Sequence, residues 1–297
     1  MSRTPSLRAA LILGLLTLSA AVAGAQSKPD MLWDSVGAIL KSPPTAAAGY
    51  TRYNFPRRDI PLKLGDVSVA PGLALGSWAG FAGKADSAIA MGDLVLLGSE
   101  VAGVLRELDQ AGIDVTAIHN HLAGEVPALT YVHFHGEGTA LSLATALDRV
   151  LQRSATPRPV AAAAPAPLGI DTAMVFTALG IRGRAAGAVA QLSPVLVTVP
   201  VTIAGHALVA ALAYGSPINV QLVSPDRMVA AGDFAILEAR VTPLVHALTS
   251  HGITATAMHS HLVGETPRIY YIHFWADGKP SEVLTGLRAA LDAADGH

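Results

Sequence analysis

The 297-residue sequence contains no cysteine. A disulfide framework, a thiolate metal site, a cysteine nucleophile and a lipid-modified cysteine are therefore all excluded. Nitrogen ligands for a transition metal must come from histidine, of which the chain has 11. Any such site in this protein must be built from imidazoles and carboxylates.

The sequence also lacks a charge imbalance and a long apolar segment in its interior. Lysine and arginine total 20 against 22 acidic residues, and no basic run marks a nucleic-acid footprint. The marked apolar run, residues 9–22, follows Arg3 and Arg8 and ends at the small-residue site Ala23-Gly24-Ala25. This pattern predicts a signal peptide over residues 1–25, so we expect an exported protein, periplasmic or secreted, without a membrane anchor after cleavage.

The sequence contains an internal repeat. Residues 91–135 align with residues 231–275 at a constant offset of 140, and 18 of the 45 positions are identical. Because the period is far too long for a solenoid, the repeat indicates duplication of a domain. A proline- and alanine-rich segment between the copies is typical of an exposed linker, although a surface loop within one domain is the alternative. The predicted divisions are a signal peptide at 1–25, a first module at 26–153, a linker at 154–168 and a second module at 169–297.

In both copies, the spacing of apolar residues switches between strand-like and helical patterns in the same order. Strand-like segments lead to an apolar stripe at helical spacing, which ends at Gly112 or Gly252, where a helix cap belongs. Two β-rich segments and a last helix follow. In the second copy, Thr242-Pro243 has the pattern of an N-cap followed by proline in the first helical turn. The predicted fold is α+β: two tandem β-β-α-β-β-α modules, each with an antiparallel or mixed sheet and helices on one face.

Histidines concentrate on two strands of each module. Side chains two residues apart on a strand share a face, so His119 and His121 point the same way, and a neighbouring strand presents His133 beside them. A glutamate in the connecting loop follows each His-x-His pair by four residues and can add a carboxylate oxygen. The predicted metal ligands are His119, His121, Glu125 and His133 in the first copy, and His259, His261, Glu265 and His273 in the second.

Three imidazoles and one carboxylate suit a divalent ion of Zn, Cu, Ni, Mn or Fe, and the pattern does not distinguish among them. A His-x-His pair on a strand can also be a simple surface pair. Several neighbours are candidate accessory residues, as proton donors, pocket walls or partners that orient a histidine. These are His135, Tyr131, Tyr271, Trp275, Asp93 and Asp233.

The string His119-x-His121-x-x-x-Glu125 is similar to the first metal motif of cupins. Helices flank the histidine strands where a jelly roll has strands, so we interpret the likeness as convergent ligand chemistry.

The pattern as a whole resembles the LppY/LpqO family, named for mycobacterial lipoproteins and long without an assigned function. The segments that carry the resemblance are 75–78, 92–96, 112–122, 232–234, 256–261 and 271–276. Without cysteine, the lipid anchor of that family does not carry over. The resemblance implies an architecture and brings no reaction with it.

These observations lead to one main hypothesis and two alternatives. The main hypothesis is an exported metal-binding protein, with a metalloenzyme site of three histidines and one glutamate in one or both repeats. The first alternative is a metal carrier without catalysis. The second is a scaffold that binds a small molecule or another partner without metal. Whether the protein is an enzyme, and whether it forms oligomers, is left open by the sequence.

Overall fold

The structure is a computed structural model that describes residues 31–160 and 169–295. The predicted signal peptide and residues 161–168 of the predicted linker lie outside the described residues. None of the described helices is long and apolar enough to span a membrane.

The two repeats have the same order of elements. In the first repeat the elements are α1 (Met31–Leu40), β1 (Thr45–Ala47), β2 (Tyr50–Pro56), β3 (Lys63–Leu64), β4 (Val67–Ser68), α2 (Pro71–Ala74), β5 (Gly76–Gly83), β6 (Ala88–Leu97), α3 (Gly98–Gln110), β7 (Asp114–His119), β8 (Glu125–Val126), β9 (Leu129–Gly138) and α4 (Ala140–Leu151). In the second they are α5 (Thr172–Leu179), β10 (Arg184–Ala186), β11 (Val189–Leu192), β12 (Thr202–Ile203), β13 (His206–Ala207), α6 (Ala210–Ala213), β14 (Ile218–Ser224), β15 (Arg227–Leu237), α7 (Glu238–Ser250), β16 (Thr254–His259), β17 (Glu265–Thr266), β18 (Ile269–Gly278) and α8 (Pro280–Asp295).

Each repeat forms one six-stranded antiparallel sheet. The strand order is β1-β2-β5-β6-β9-β7 in the first repeat and β10-β11-β14-β15-β18-β16 in the second. Two small three-stranded sheets, β4-β3-β8 and β13-β12-β17, hold the loop between the histidine strands of each repeat. The predicted α+β fold with a duplicated module is confirmed.

The helix ends follow local rules with one exception. Gly112 and Gly252 follow α3 and α7 with φ of 65° and 70°, the left-handed conformation that glycine adopts most easily, as predicted. The predicted start of α7 at Thr242-Pro243 is wrong. This helix begins at Glu238, directly after β15, and contains Pro243 in its interior. The first repeat has no proline in α3, and its helix begins at the corresponding point, directly after β6.

Both faces of each large sheet are buried. Even-numbered residues of β6 and β9, such as Leu94, Val132 and Phe134, pack under the helices of the first repeat. The opposite face, with Val95 and Tyr131, belongs to an apolar cluster that also contains β15 residues of the second repeat. A second mixed cluster joins Met91 to residues of β15, β18 and α6. The two sheets therefore stack with these faces together and with the short helices α2 and α6 in the interface, inside a single unit that starts at Met31.

Candidate metal centre

Six histidines meet between the two stacked sheets. His119, His121 and His133 of the first repeat each pack against one histidine of the second. The ring-centroid distances are 3.7 Å for His119–His259, 4.0 Å for His121–His273 and 3.8 Å for His133–His261. His119 and His259 occupy equivalent positions and contact each other. The repeat relates His121 to His261 and His133 to His273, so the other two contacts are equivalent to each other. This pattern indicates a pseudo-two-fold axis between His119 and His259. We call these six residues the histidine cluster.

The strands of each sheet place these side chains. His119 ends β7 opposite Tyr131, and His133 lies at the centre of β9 between Ala117 and Asp93. His121 follows two residues after the end of β7. The second repeat has the same register, with His259 opposite Tyr271 and with His273 between Ala257 and Asp233.

Two groups within the cluster have ligand nitrogens close enough to share an ion. In each group, one nitrogen per residue lies within 4.8 Å of all the others. The first group is His119, His121 and His133, and the second is His119, His259, His261 and His273. The sequence predicts one separate ligand set in each repeat. The structure instead places all six imidazoles together, and His119 belongs to both groups.

The two glutamates of the predicted sets have other partners. Glu125 Oε1 accepts a hydrogen bond from the backbone nitrogen of Leu129 at 3.3 Å. Glu265 Oε1 accepts from the backbone of Ile269 at 3.2 Å and lies 3.3 Å from Arg268 Nε. Both glutamates lie on the short strands β8 and β17, whose pairing fixes their backbone. Neither glutamate belongs to a ligand group among the described residues.

Two aspartates line the cluster instead. Asp93 lies 3.7 Å from Nε2 of His121 through one carboxylate oxygen and 3.7 Å from Nε2 of His133 through the other. Asp233 Oδ2 lies 3.8 Å from Nε2 of His273. These distances are longer than direct hydrogen bonds. The aspartates therefore place acidic groups beside the imidazoles, on the neighbouring strands β6 and β15.

The other predicted accessory residues have different surroundings. Tyr131 and Tyr271 stack on His121 and His261 at 3.4 and 3.7 Å, and each hydroxyl donates a 2.8 Å hydrogen bond to the backbone of α2 or α6. The two tyrosines therefore form walls of the cluster. His135 lies 3.5 Å from Glu137 and outside both ligand groups among the described residues. Trp275 packs against an inter-repeat apolar cluster.

Burial keeps the cluster neutral in the absence of a cation. It lowers the pKa of His119 to about 4 and that of His259 to about 3, and the pKa values of the other four histidines fall well below their usual range. Burial also raises the pKa of Asp93 to about 8, while the pKa of Asp233 rises well above its usual range. The imidazoles are therefore in the form that ligates metal.

Many polar atoms of the cluster lack a protein partner. Nε2 of His119, His121, His133 and His273 is buried without a hydrogen bond within the described part of the chain, as are Nδ1 of His259 and one oxygen each of Asp93 and Asp233. A buried polar atom without a partner costs about 1–3 kcal/mol. A metal cation among these nitrogens would satisfy several of them at once, and imidazole nitrogen suits Zn, Cu, Ni and Fe.

A cavity of about 130 Å³ adjoins the cluster. It reaches His133, His261 and both aspartates, and its walls include Tyr50, Arg52 and Trp78 on the sheet of the first repeat. Tyr50 and Arg52 lie near the sheet edge in no recognisable motif, so the sequence alone gives no signal for them.

Comparison with known proteins places the chain in a family. A family model described as a Domain of Unknown Function (DUF1259) matches residues 34–153 and, again, residues 173–293. The chain belongs to this family. The double match confirms the predicted duplication, whereas the resemblance to the LppY/LpqO family and the four predicted divisions of the chain stay predictions. No curated protein matches the sequence.

Two solved structures show a distant similarity to this DUF1259 protein. EtuB from Clostridium kluyveri shares 13% identity, with 86% of this chain and 90% of that chain covered and a TM-score of 0.21. PduB, a trimeric bacterial microcompartment shell protein, shares 10% identity, with 84% and 89% covered and a TM-score of 0.21. Scores this low support no argument about fold or function.

Proposed function

We propose that this protein binds a divalent first-row transition-metal ion at the histidine cluster between its two repeats. The observation that carries the proposal is the set of buried imidazole nitrogens that face one another without a protein partner. Such a set is costly in a protein without a cation and becomes favourable when a cation accepts the lone pairs.

The charges around the cluster support a cation. Neutral imidazoles bring no charge to a buried metal, so the surroundings must supply it. Asp93 and Asp233 lie 3.7–3.8 Å from Nε2 of His121, His133 and His273, so a cation among these nitrogens would lie close to both carboxyl groups. A bound cation would in turn favour the ionised form of both aspartates.

The adjoining cavity favours a reactive or ligand-accepting metal centre over a pure carrier. Catalytic sites keep a coordination position open to water or substrate, whereas structural sites are closed. The cavity reaches His133 and His261, so a small molecule there would lie beside the metal. A carrier without catalysis is the second candidate, because six imidazoles are enough to saturate one ion.

We also propose that the protein acts outside the cytoplasm. The proposal rests on the signal-like pattern of residues 1–25 and on the resemblance to the exported LppY/LpqO family. Mass spectrometry of the exported protein should find Gln26 at the mature N-terminus, and retention of residues 1–25 would contradict cleavage.

The test of metal binding uses protein made without a histidine tag. Elemental analysis should find a transition metal in the purified protein, and calorimetric titration of the stripped protein with Zn, Cu, Ni, Mn and Fe(II) should identify the preferred ion. The double variant His121→Ala/His261→Ala should lose this binding. The matched control is His246→Ala, which removes an exposed histidine on α7. Binding by the wild type no tighter than by the double variant would overturn the proposal.

A further inference from the structure

The cavity beside the histidine cluster contains a positive charge held in a fixed orientation. Arg52 Nε donates a 2.8 Å hydrogen bond to Asn54, and the guanidinium carbon lies 4.0 Å above the ring of Trp78. Within residues 31–160 and 169–295, no carboxylate forms an ion pair with Arg52. Arg57, five residues further on, forms ion pairs with both Asp59 and Glu100. The side chain of Tyr50 also interacts with Arg52. A guanidinium has more N–H donors than the contacts with Asn54 and Tyr50 use, so Arg52 keeps free donors beside the cavity.

In the second repeat, the part of the sheet that corresponds to the surroundings of Arg52 is occupied by side-chain amides. We call these two equivalent regions the corners of the sheets. Arg52 and Gln191 occupy equivalent positions in the two sheets. Arg52 lies opposite Thr45, the first residue of edge strand β1, and Gln191 lies opposite Arg184, the first residue of edge strand β10. Gln191 Nε2 donates a 2.7 Å hydrogen bond to the carbonyl of Gly72 in the turn before β5. The second repeat's sheet thus binds the first repeat's α2 segment directly.

Two more amides seal that corner. Asn219 donates to the carbonyl of Leu73 at 3.0 Å, and Gln221 donates to Ser68 at 2.9 Å while accepting from the backbone of Ala70 at 2.8 Å. The same register places Gly80 and Ala82 at the corresponding positions of the first repeat, opposite Met91 and Ile89.

The first repeat's corner therefore has no side-chain amides with which to hold α6. Trp78 also stands where the second repeat has Pro217, whose carbonyl accepts from the backbone nitrogen of Asp233. The divergence of these positions leaves a space at one corner and places an arginine in it.

We propose that this cavity binds a small organic monocarboxylate, with the carboxylate on Arg52 and the rest of the molecule toward the histidine cluster. A planar guanidinium matches a carboxylate in a two-point contact. The apolar walls, which include Met91, Leu212 and Leu262, suit an organic body better than a fully hydrated ion. Arg52 is the one lysine or arginine among the described lining residues, so a monoanion fits better than phosphate.

The cavity volume limits the size of this ligand. About 130 Å³ is on the order of ten times the space that one water needs, by the same kind of measure. Tyr50, Arg52 and Trp78 are partly exposed, whereas His133 and His261 are buried. A ligand would thus enter past the arginine and reach the imidazoles. The site on Arg52 goes beyond the proposed metal function and does not depend on a bound metal.

The test is calorimetric titration of the full-length mature protein, both metal-free and metal-loaded, with acetate, propionate, benzoate and inorganic phosphate. We expect at least one monocarboxylate to bind in both forms, and Arg52→Gln, which introduces the residue found in the second repeat, to weaken this binding by about tenfold or more. Arg106→Gln, on the exposed face of α3, is the matched control and should bind as the wild type does.

A second variant, Ala211→Leu, adds volume at the cavity wall without touching the charge. It should also weaken the carboxylate while leaving the metal content unchanged. Equal binding by wild type and Arg52→Gln, or no monocarboxylate binding at millimolar concentration, would overturn the proposal. Tighter binding of phosphate than of every carboxylate would overturn the choice of ligand. Carboxylate binding by a protein that holds no metal would leave this site standing while the metal proposal fails.

Discussion

The two repeats are alike at the axis between them and unlike at its periphery. The histidine cluster, the aspartates and the stacked tyrosines occupy equivalent positions in both copies, and both tyrosines stack on a histidine and donate to a short helix. Away from the axis, the first repeat has the buried ion pair Arg57–Glu100, where the second has Leu196 and Arg240. A residue at the axis contacts the other copy's equivalent elements, so a change there alters both halves of one centre. A peripheral residue is free of that constraint.

Mutation of the buried ion pair should give the largest difference in free energy of unfolding between equivalent positions of the two copies. Arg57 is fully buried and also donates to the carbonyl of Val95 at 2.8 Å. Arg57→Leu, which introduces the residue of the second repeat, should lower the free energy of unfolding by about 3–5 kcal/mol, because Glu100 would remain buried without its cation. Urea denaturation measures this loss. Arg240→Leu in the second repeat is the control, expected within about 0.5 kcal/mol of wild type. A loss below 1 kcal/mol in Arg57→Leu would contradict the difference.

The shared cluster predicts equal effects from the two copies on metal affinity. For one ion shared by both ligand groups through His119, His133→Ala and His273→Ala should each weaken metal binding by more than about 100-fold, because loss of a direct ligand exceeds the 10–100-fold typical of an orienting partner. Calorimetric titration gives both affinity and stoichiometry. Two independent centres would instead leave each variant with half of the bound metal at wild-type affinity, and that result would restore the separate sites expected from sequence.

Mutation of the two aspartates should give the smallest difference in stability between the copies, and the stability change should depend on pH. Burial raises the folded-state pKa of Asp93 to about 8, so its contribution to stability is lost as the pH rises from about 4 toward 8. In metal-free protein, Asp93→Asn should therefore stabilise the fold by about 1–3 kcal/mol at pH 8 and by less at pH 6. Asp233→Asn should gain at least as much, because Arg52 lowers the pKa of Asp93 alone.

Thermal unfolding of stripped protein at the two pH values is the measurement. Both asparagine variants should weaken metal binding in the same preparations. A gain that is larger at pH 6 than at pH 8 would show that neither carboxyl is held protonated by burial.

Local patterns predicted the single repeat well. Alternation along β7 and β9 placed His119, His121 and His133 on one face, and the apolar stripe and Gly112 located α3. These features depend on neighbours within a few residues, which a sequence displays directly. The loop glutamates lie outside both ligand groups of the described residues, on β8 and β17, whose pairing with distant strands local spacing does not reveal.

The contact between the repeats was not predicted, although one signal pointed to it. β6 contains the run Leu94-Val95-Leu96-Leu97 instead of alternating apolar and polar residues. A continuous apolar run is typical of a strand buried on both faces. The helices cover one face, so the other needed a second covering layer, which the sister repeat supplies. The sequence could not specify which surface that would be.

The direct contact of His119 with His259 has a consequence for the history of the chain. A single ancestral module could have built the same six imidazoles as a symmetric homodimer, since an isologous interface brings equivalent residues together at its axis. Such an assembly would form only at sufficient concentration, whereas a fused pair carries its partner at a high local concentration. A homodimer must also make every change twice. Only after fusion could evolution place an arginine at one corner of the centre and a glutamine at the other.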